Sequence, residues 1–159
     1  MSSSKTHTAL SEPQIYYEDI EVSSEYTSPW YAVERDEVIE MASRWDPYPF
    51  HIDEEIAKRS IFGGLAACTA HIFAISVRLS HDLPGPLALI AGLGGGGLEI
   101  LAPVRVGEQV QLTRRFTSAR ESRSRPDAGI VSVEDTLYTF EGDAAFRISG
   151  SMLIAKRNA

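Results

Sequence analysis

Residues 61–79, IFGGLAACTAHIFAISVRL, decide the fold. The run opens on Phe62-Gly63-Gly64 and is then apolar on nearly every helical face. A helix apolar all round is one that other elements wrap. Ala66, Ala67, Ala70 and Ala74 are small, so a surrounding layer can come close. Gly63 and Gly64 are expected to open the helix and leave unpaired N–H groups at its N-terminus. Such groups attract anions or a developing oxyanion. The same glycines also fit a plain tight turn before a helix.

The wrapping layer lies downstream. LEILAPVRVGEQVQLTRRFTSARE (98–121), GIVSVEDTLYTFEG (129–142) and AAFRISGSMLIAKR (144–157) carry β-branched and aromatic residues in partial alternation. RPDAG (125–129) and EGDA (141–144) supply the turns between them. Three or four long antiparallel strands after one buried helix give an α+β class, a sheet curled around a central helix. The glycine-rich GLGGGGLEI starting at Gly92 matches G-x-G-x-x-G in letters only, at Gly92, Gly94 and Gly97. It precedes a strand rather than a helix, which is the wrong context for a nucleotide loop. It reads as a flexible approach to a strand.

Upstream, SEYTSPWYAV (24–33) is extended in character. ERDEVIEMASRW (34–45) places Val38, Met41, Ala42 and Trp45 on one helical face. Acidic Glu34, Asp36 and Glu37 crowd its first turn, as the helix dipole favours. Pro47 and Pro49 stop it. Asp53 then suits the N-cap of a short helix in IDEEIAKRS (52–60).

The 159 residues fit one domain. At 43% hydrophobic and 23% charged the chain is globular in composition. A net charge of −7 argues against nucleic acid or an anionic membrane as partner. An anionic small molecule held by local arginines remains compatible with it. No stretch is long and apolar enough to span a bilayer, and MSSSKTHTALSEPQ has no signal-peptide core. The expected organisation is a flexible arm over residues 1–15 and one domain over 16–159, in the cytoplasm. The single cysteine, Cys68, fits a small buried residue in a reducing compartment.

The chemistry concentrates in WDPYPFHID (45–53). Asp46 and His51 sit on a bend stiffened by two prolines. A carboxylate and an imidazole can divide acid and base work, and a rigid bend aims both at one substrate atom. Alone, the same residues also fit an aspartate starting a turn with a histidine packed nearby. His51-x-Asp53 has no second ligand pair and makes no metal site. His71, on the buried helix, reads as a satisfied core polar group. Arg114, Arg115, Arg120, Arg123 and Arg125 form either a solvated surface or a partial phosphate grip.

Taken together, Asp46-Pro-Tyr-Pro-Phe-His51, the acidic Asp53 and Phe62-Gly63-Gly64 before a small-residue helix resemble the MaoC-like dehydratases, or (R)-specific enoyl-CoA hydratases. APVRVGEQV (102–110) and SRSRPDAGIV (122–131) extend the similarity from Tyr17 to Ala155. The resemblance implies a hot-dog fold, a curled antiparallel sheet wrapped around a long central helix. It implies a homodimer or dimer-based oligomer with the sheets joined edge to edge. The implied reaction is reversible syn hydration of a trans-2-enoyl thioester to the (R)-3-hydroxyacyl thioester. Asp46 and His51 become the acid–base pair, and the backbone N–H of Thr69 the oxyanion donor. Tyr48 stands where the family has asparagine and, with Phe62, Gly63, Gly64, Arg123 and Arg125, would contact substrate. The substrate would be an acyl-CoA or acyl-carrier-protein thioester, with no metal and no cofactor beyond the coenzyme A of the substrate. A hot-dog thioesterase or a non-catalytic acyl-CoA-binding subunit are the competing readings. The helix lacks the acidic residue such thioesterases carry.

Overall fold

Alternation along three long strands builds the framework. In β5 (Gln109–Glu121), Val110, Leu112, Arg114 and Phe116 are the buried positions. In β6 (Ala128–Thr139) they are matched by Val131, Val133, Asp135 and Leu137. The register pairs Leu112 with Leu137, Arg114 with Asp135 and Phe116 with Val133, so one face of the sheet is continuous core. β7 (Ala144–Ala155) follows through a tight turn in which Gly142 takes a φ of 94°.

The computed structural model describes residue 12 and residues 15–158. Residues 1–11, 13 and 14 of the expected arm lie outside that set. Ile15 is already tied in, bridged parallel to Leu87. The short strands β1 (Glu25–Thr27) and β2 (Tyr31–Ala32) both pair with β5. β3 (Leu89–Gly94) and β4 (Leu98–Ile100) pair with β7. The seven-stranded antiparallel sheet runs β1-β5-β6-β7-β3. Among the described residues a 3-10 turn (Tyr17–Asp19) and four α-helices complete the fold: α1 (Arg35–Trp45), α2 (Pro49–Ile52), α3 (Glu54–Arg59) and α4 (Thr69–Ser80). The curled-sheet α+β class is therefore the one expected. No described helix is long and apolar enough to cross a membrane.

Several boundaries differ from the sequence reading. Gly63 and Gly64 do not open α4, which starts at Thr69. Gly63 has a φ of 67°, a left-handed conformation that interrupts any helix. The chain then runs as an extended strap. Val106 N–H donates to the Leu65 carbonyl and Ala67 N–H to the Val104 carbonyl, at 3.0 and 2.8 Å. Nor is α4 wrapped on all sides. His71, Ile72, Ile75, Ser76 and Leu79 face the core, while Ala70, Phe73, Ala74 and Val77 are exposed. Trp45, expected on the buried face of α1, is 63% exposed, leaving Val38 and Ala42 as the buried residues of that helix.

The glycine-rich stretch divides: Gly92 to Gly94 finish β3, and residues 95–97 are the irregular approach to β4. Gly92 and Gly94 pair with Met152 and Ser151. A side chain at Gly96 would sit 1.7 Å from the Ser149 carbonyl oxygen, so the close backbone approach there is to β7. Residues 98–121 also divide, because the chain breaks between β4 and β5, with a φ of 87° at Gly107.

The core has two halves. Leu112 and Leu137 belong to the half beneath α4, with Val104, Val110 and Phe146. Phe116 and Val133 belong to the other, against which Tyr16, Tyr17 and Tyr26 pack. Between them lies a buried ion pair. Arg114 Nε and Nη2 donate to the two Asp135 carboxylate oxygens at 2.8 and 2.6 Å. Removing one member strands a buried charge. Asp135→Ala is expected to lower unfolding free energy by about 3–5 kcal/mol in urea titrations. The double variant Arg114→Met/Asp135→Leu should recover most of that loss. Equal losses in both variants would show that the charges, not their pairing, matter.

Candidate active site

Helix α1 ends because Pro47 follows its cap. Asp46 is the C-cap, its N–H donating to the Ala42 carbonyl at 2.8 Å. Tyr48 N–H donates to the Asp46 carbonyl, also at 2.8 Å, closing the bend. Pro49 then occupies the first position of α2, where its fixed φ is helical and its missing N–H costs nothing. The single turn of α2 rotates His51 inward, to 7% exposure. Asp53 caps α3 by accepting from Ile56 N–H at 2.9 Å, so its carboxylate is engaged structurally.

The imidazole is fixed from behind. His51 Nδ1 lies 2.7 Å from the Ala66 carbonyl oxygen. A carbonyl only accepts, so Nδ1 carries the proton and, in the neutral ring, Nε2 presents a lone pair. Nε2 is 3.9 Å from Asp46 Oδ2. That gap exceeds a direct hydrogen bond and suits two groups that share a third, such as a water. The Asp46 side chain is about one-third exposed, so the pair opens to solvent on the carboxylate side.

Aromatic rings wall the imidazole. Phe50 meets it edge-on at 4.6 Å and Phe62 lies at 6.0 Å. Tyr48 stacks on Phe50 at 5.4 Å with the rings nearly parallel, and stays 60% exposed. The Phe62 carbonyl accepts from Arg105 Nε at 2.6 Å, which pins the strap to the loop before β5. Gly63 and Gly64 follow Phe62, with open space around both. Thr69 begins α4, three residues beyond the carbonyl that holds His51. As a first-turn residue its N–H has no intrahelical acceptor. Asp46, Tyr48, His51 and Phe62 thus come together, with the strap leading directly to Thr69.

Arg123 and Arg125 do not join them within one chain. They lie on the β5–β6 hairpin, beyond the end of β5 remote from Val110. Arg125 is held by Asp127 through two bonds of 2.8 and 2.5 Å. Cys68 is fully buried at the N-cap of α4. Among the described residues no group of three His, Cys, Asp or Glu side chains could hold a metal ion.

Two features escaped the sequence. The Ala66 carbonyl carries no side-chain signal. His71 is not the satisfied core residue expected. It is buried, its Nδ1 has no partner, and burial pushes its basicity below the ordinary histidine range, with Glu37 opposing. Between α1 and α4 a cleft of about 360 Å³ lies beside the ring.

The MaoC-like domain family model matches residues 21–139. Among solved structures, a MaoC-like dehydratase from Rhodospirillum rubrum is 31% identical. It superposes with a TM-score of 0.82 over 91% of this chain and 99% of that one. An R-hydratase from Pseudomonas aeruginosa is 18% identical, with a TM-score of 0.71 over 91% and 88% of the two chains. An (R)-hydratase from A. caviae involved in PHA biosynthesis is 22% identical, with a TM-score of 0.66 over 86% and 98%. The latter two likenesses establish the hot-dog fold alone. No curated protein matches the sequence.

The tautomer of His51 is directly measurable. With the ring neutral, long-range ¹H–¹⁵N spectra should show a protonated Nδ1 and a bare Nε2. The opposite pattern would mean that the Ala66 carbonyl does not hold the ring.

Proposed function

We propose that this chain, which belongs to the MaoC-like domain family, catalyses reversible syn hydration of trans-2-enoyl thioesters to (R)-3-hydroxyacyl thioesters. One observation carries the reading. Asp46 Oδ2 and His51 Nε2 face each other across 3.9 Å, with the imidazole locked by Ala66 so that Nε2 points at the gap.

A water between the two groups is activated by loss of its proton to one of them. Its oxygen bonds to C3 of the enoyl group while the C2–C3 π pair shifts toward the carbonyl. C2 then takes a proton from the pair, and because both transfers come from one side the addition is syn. Negative charge builds on the thioester oxygen in between. The Thr69 N–H, at the positive end of α4, is placed to donate to that oxygen. Asp46 and His51 act as a coupled pair, and the division of acid and base between them stays open. Phe50 and Phe62 keep the imidazole side dry, while Tyr48 and the glycines at 63 and 64 border the acyl group. The thioesterase reading lacks a carboxylate on α4, whose sequence is TAHIFAISVRLS.

The working unit is a homodimer. Leu89, Ile90, Leu93, Leu98 and Ile100 are exposed on β3 and β4, and Phe73 and Val77 are exposed on α4. Soluble monomers seldom leave so many large apolar side chains uncovered, and among the described residues no strand pairs with the outer edge of β3. A second copy joining edge to edge covers both. Arg123 and Arg125 then meet the phosphates of a coenzyme A or acyl-carrier-protein thioester from the partner copy. The unpaired, buried Cys68 fits the reducing cytoplasm.

Two outcomes are expected. His51→Ala and Asp46→Ala should each lower kcat for crotonyl-CoA hydration by roughly 10²–10⁴-fold with the fold intact by circular dichroism. Wild-type rates in a folded His51→Ala protein would refute the assignment. Light scattering should give a dimer for the wild type and a monomer for Leu93→Glu/Val77→Glu. A monomeric wild type at micromolar concentration would remove the edge-to-edge arrangement.

A further inference from the structure

The cleft lies between the two helices whose ends carry Asp46 and Thr69. Trp45, which lines it, is the residue before Asp46, and His71, which also lines it, is two past Thr69. Its walls are apolar where Met41, Ala74 and Ile75 meet, and the small Ala74 keeps it open. We propose that this cleft seats the acyl tail of the thioester and that His71 selects tails bearing an uncharged oxygen, a hydroxyl or keto group. The inference rests on the hydratase reading above.

The proton on His71 has a defined place. Nδ1 is sealed from solvent without a partner. An orphaned buried N–H is rarer than an orphaned acceptor, so the neutral ring carries its proton on Nε2. Because the ring lines the cleft while Nδ1 is sealed, the Nε2 edge is the one a ligand reaches. Burial holds the ring neutral, so it offers a donor without a charge.

The charged groups of the cleft argue against an ionic tail. Glu37 and Glu40 offset Arg44 and Arg78, so the lining has no net charge. Glu37 already accepts from the Tyr31 hydroxyl. Arg78 Nη1 donates to Asp82 at 2.8 Å, and the Arg44 guanidinium lies 5.0 Å over the Trp45 ring. The imidazole is the uncharged nitrogen donor that the lining offers a ligand. A methylene chain along Met41 and Ile75 ending in an oxygen acceptor satisfies both walls and ring.

Calorimetric titration of the purified full chain with saturated thioesters tests this without turnover. 6-Hydroxyhexanoyl-CoA should bind about fivefold tighter than hexanoyl-CoA, the scale of one neutral hydrogen bond. The ω-carboxylate analogue adipoyl-CoA should bind weaker than either. His71→Leu should abolish or invert the hydroxyl preference. Should that variant fail to fold, Ala74→Leu fills the cleft from α4, and it should weaken both six-carbon ligands relative to butyryl-CoA. Equal binding of the hydroxylated and plain ligands by the wild type, tightest binding of adipoyl-CoA, or a preference surviving His71→Leu would overturn the proposal. So would an equal effect of Ala74→Leu on all chain lengths. Crotonyl-CoA hydration by the wild type is a separate readout. If it is absent while the binding preference holds, the hydratase reading fails and the cleft assignment stands.

Discussion

The hydrogen bond from His51 Nδ1 to the Ala66 carbonyl joins the two parts of the chain that make the site. On one side stands the proline bend, which sets Asp46 at the end of α1 and His51 on the single turn of α2. On the other stands the strap that feeds α4. Without this bond the imidazole has two tautomers and a free χ2. With it, the lone pair of Nε2 has one direction. The strap is itself fixed, by Val104 and Val106 through backbone bonds and by Arg105 through the Phe62 carbonyl. The orientation of one ring therefore depends on residues 104–106, far away in sequence. This is how supporting groups commonly orient a working imidazole.

That dependence explains what could be read from the sequence. Local chemistry was legible. Pro47 and Pro49 end α1, Asp53 caps α3, and the alternation in β5 to β7 marks the sheet. Motif resemblance added Asp46 and His51 as a pair. Long-range pairing was not legible. The glycines looked like a helix start because apolar, small residues follow them, but Leu65 to Ala67 are claimed by the chain before β5. Their burial as a strap and their burial as a helix leave the same composition. Trp45 misled for a related reason: helical periodicity fixes which side a residue takes, not whether the neighbouring element extends far enough to cover it. The orphaned nitrogen of His71 is a property of a cleft, and no local pattern encodes a cleft.

The core shows a second constraint. Arg114 and Asp135 occupy inward positions on adjacent strands, where alternation alone calls for apolar residues. Such a pair contributes little net stability compared with well-packed hydrophobes. It does forbid slippage, because a one-residue shift of β5 against β6 would oppose Arg114 to Glu134 or Thr136 and move the whole apolar set to the other face. The long strands flank two separate packing clusters, and the ion pair belongs to neither, with Tyr26 of β1 opposite Arg114. Register is thus pinned between the two clusters.

The exposed side of α4 ties these features to catalysis. The uncovered stripe does not begin partway along the helix. It begins at Thr69 and Ala70 and continues through Phe73, Ala74 and Val77. An oxyanion donor works best where water is excluded, since the same N–H is worth far less in high dielectric. In a single chain the Thr69 end of α4 faces solvent. Whatever covers Phe73 and Val77 also changes the medium around that N–H. In the proposed hydratase the apolar stripe and the helix N-terminus would be parts of one device. Burial of the first would supply the low dielectric that the second needs, which is a physical reason to place such a site at a subunit boundary.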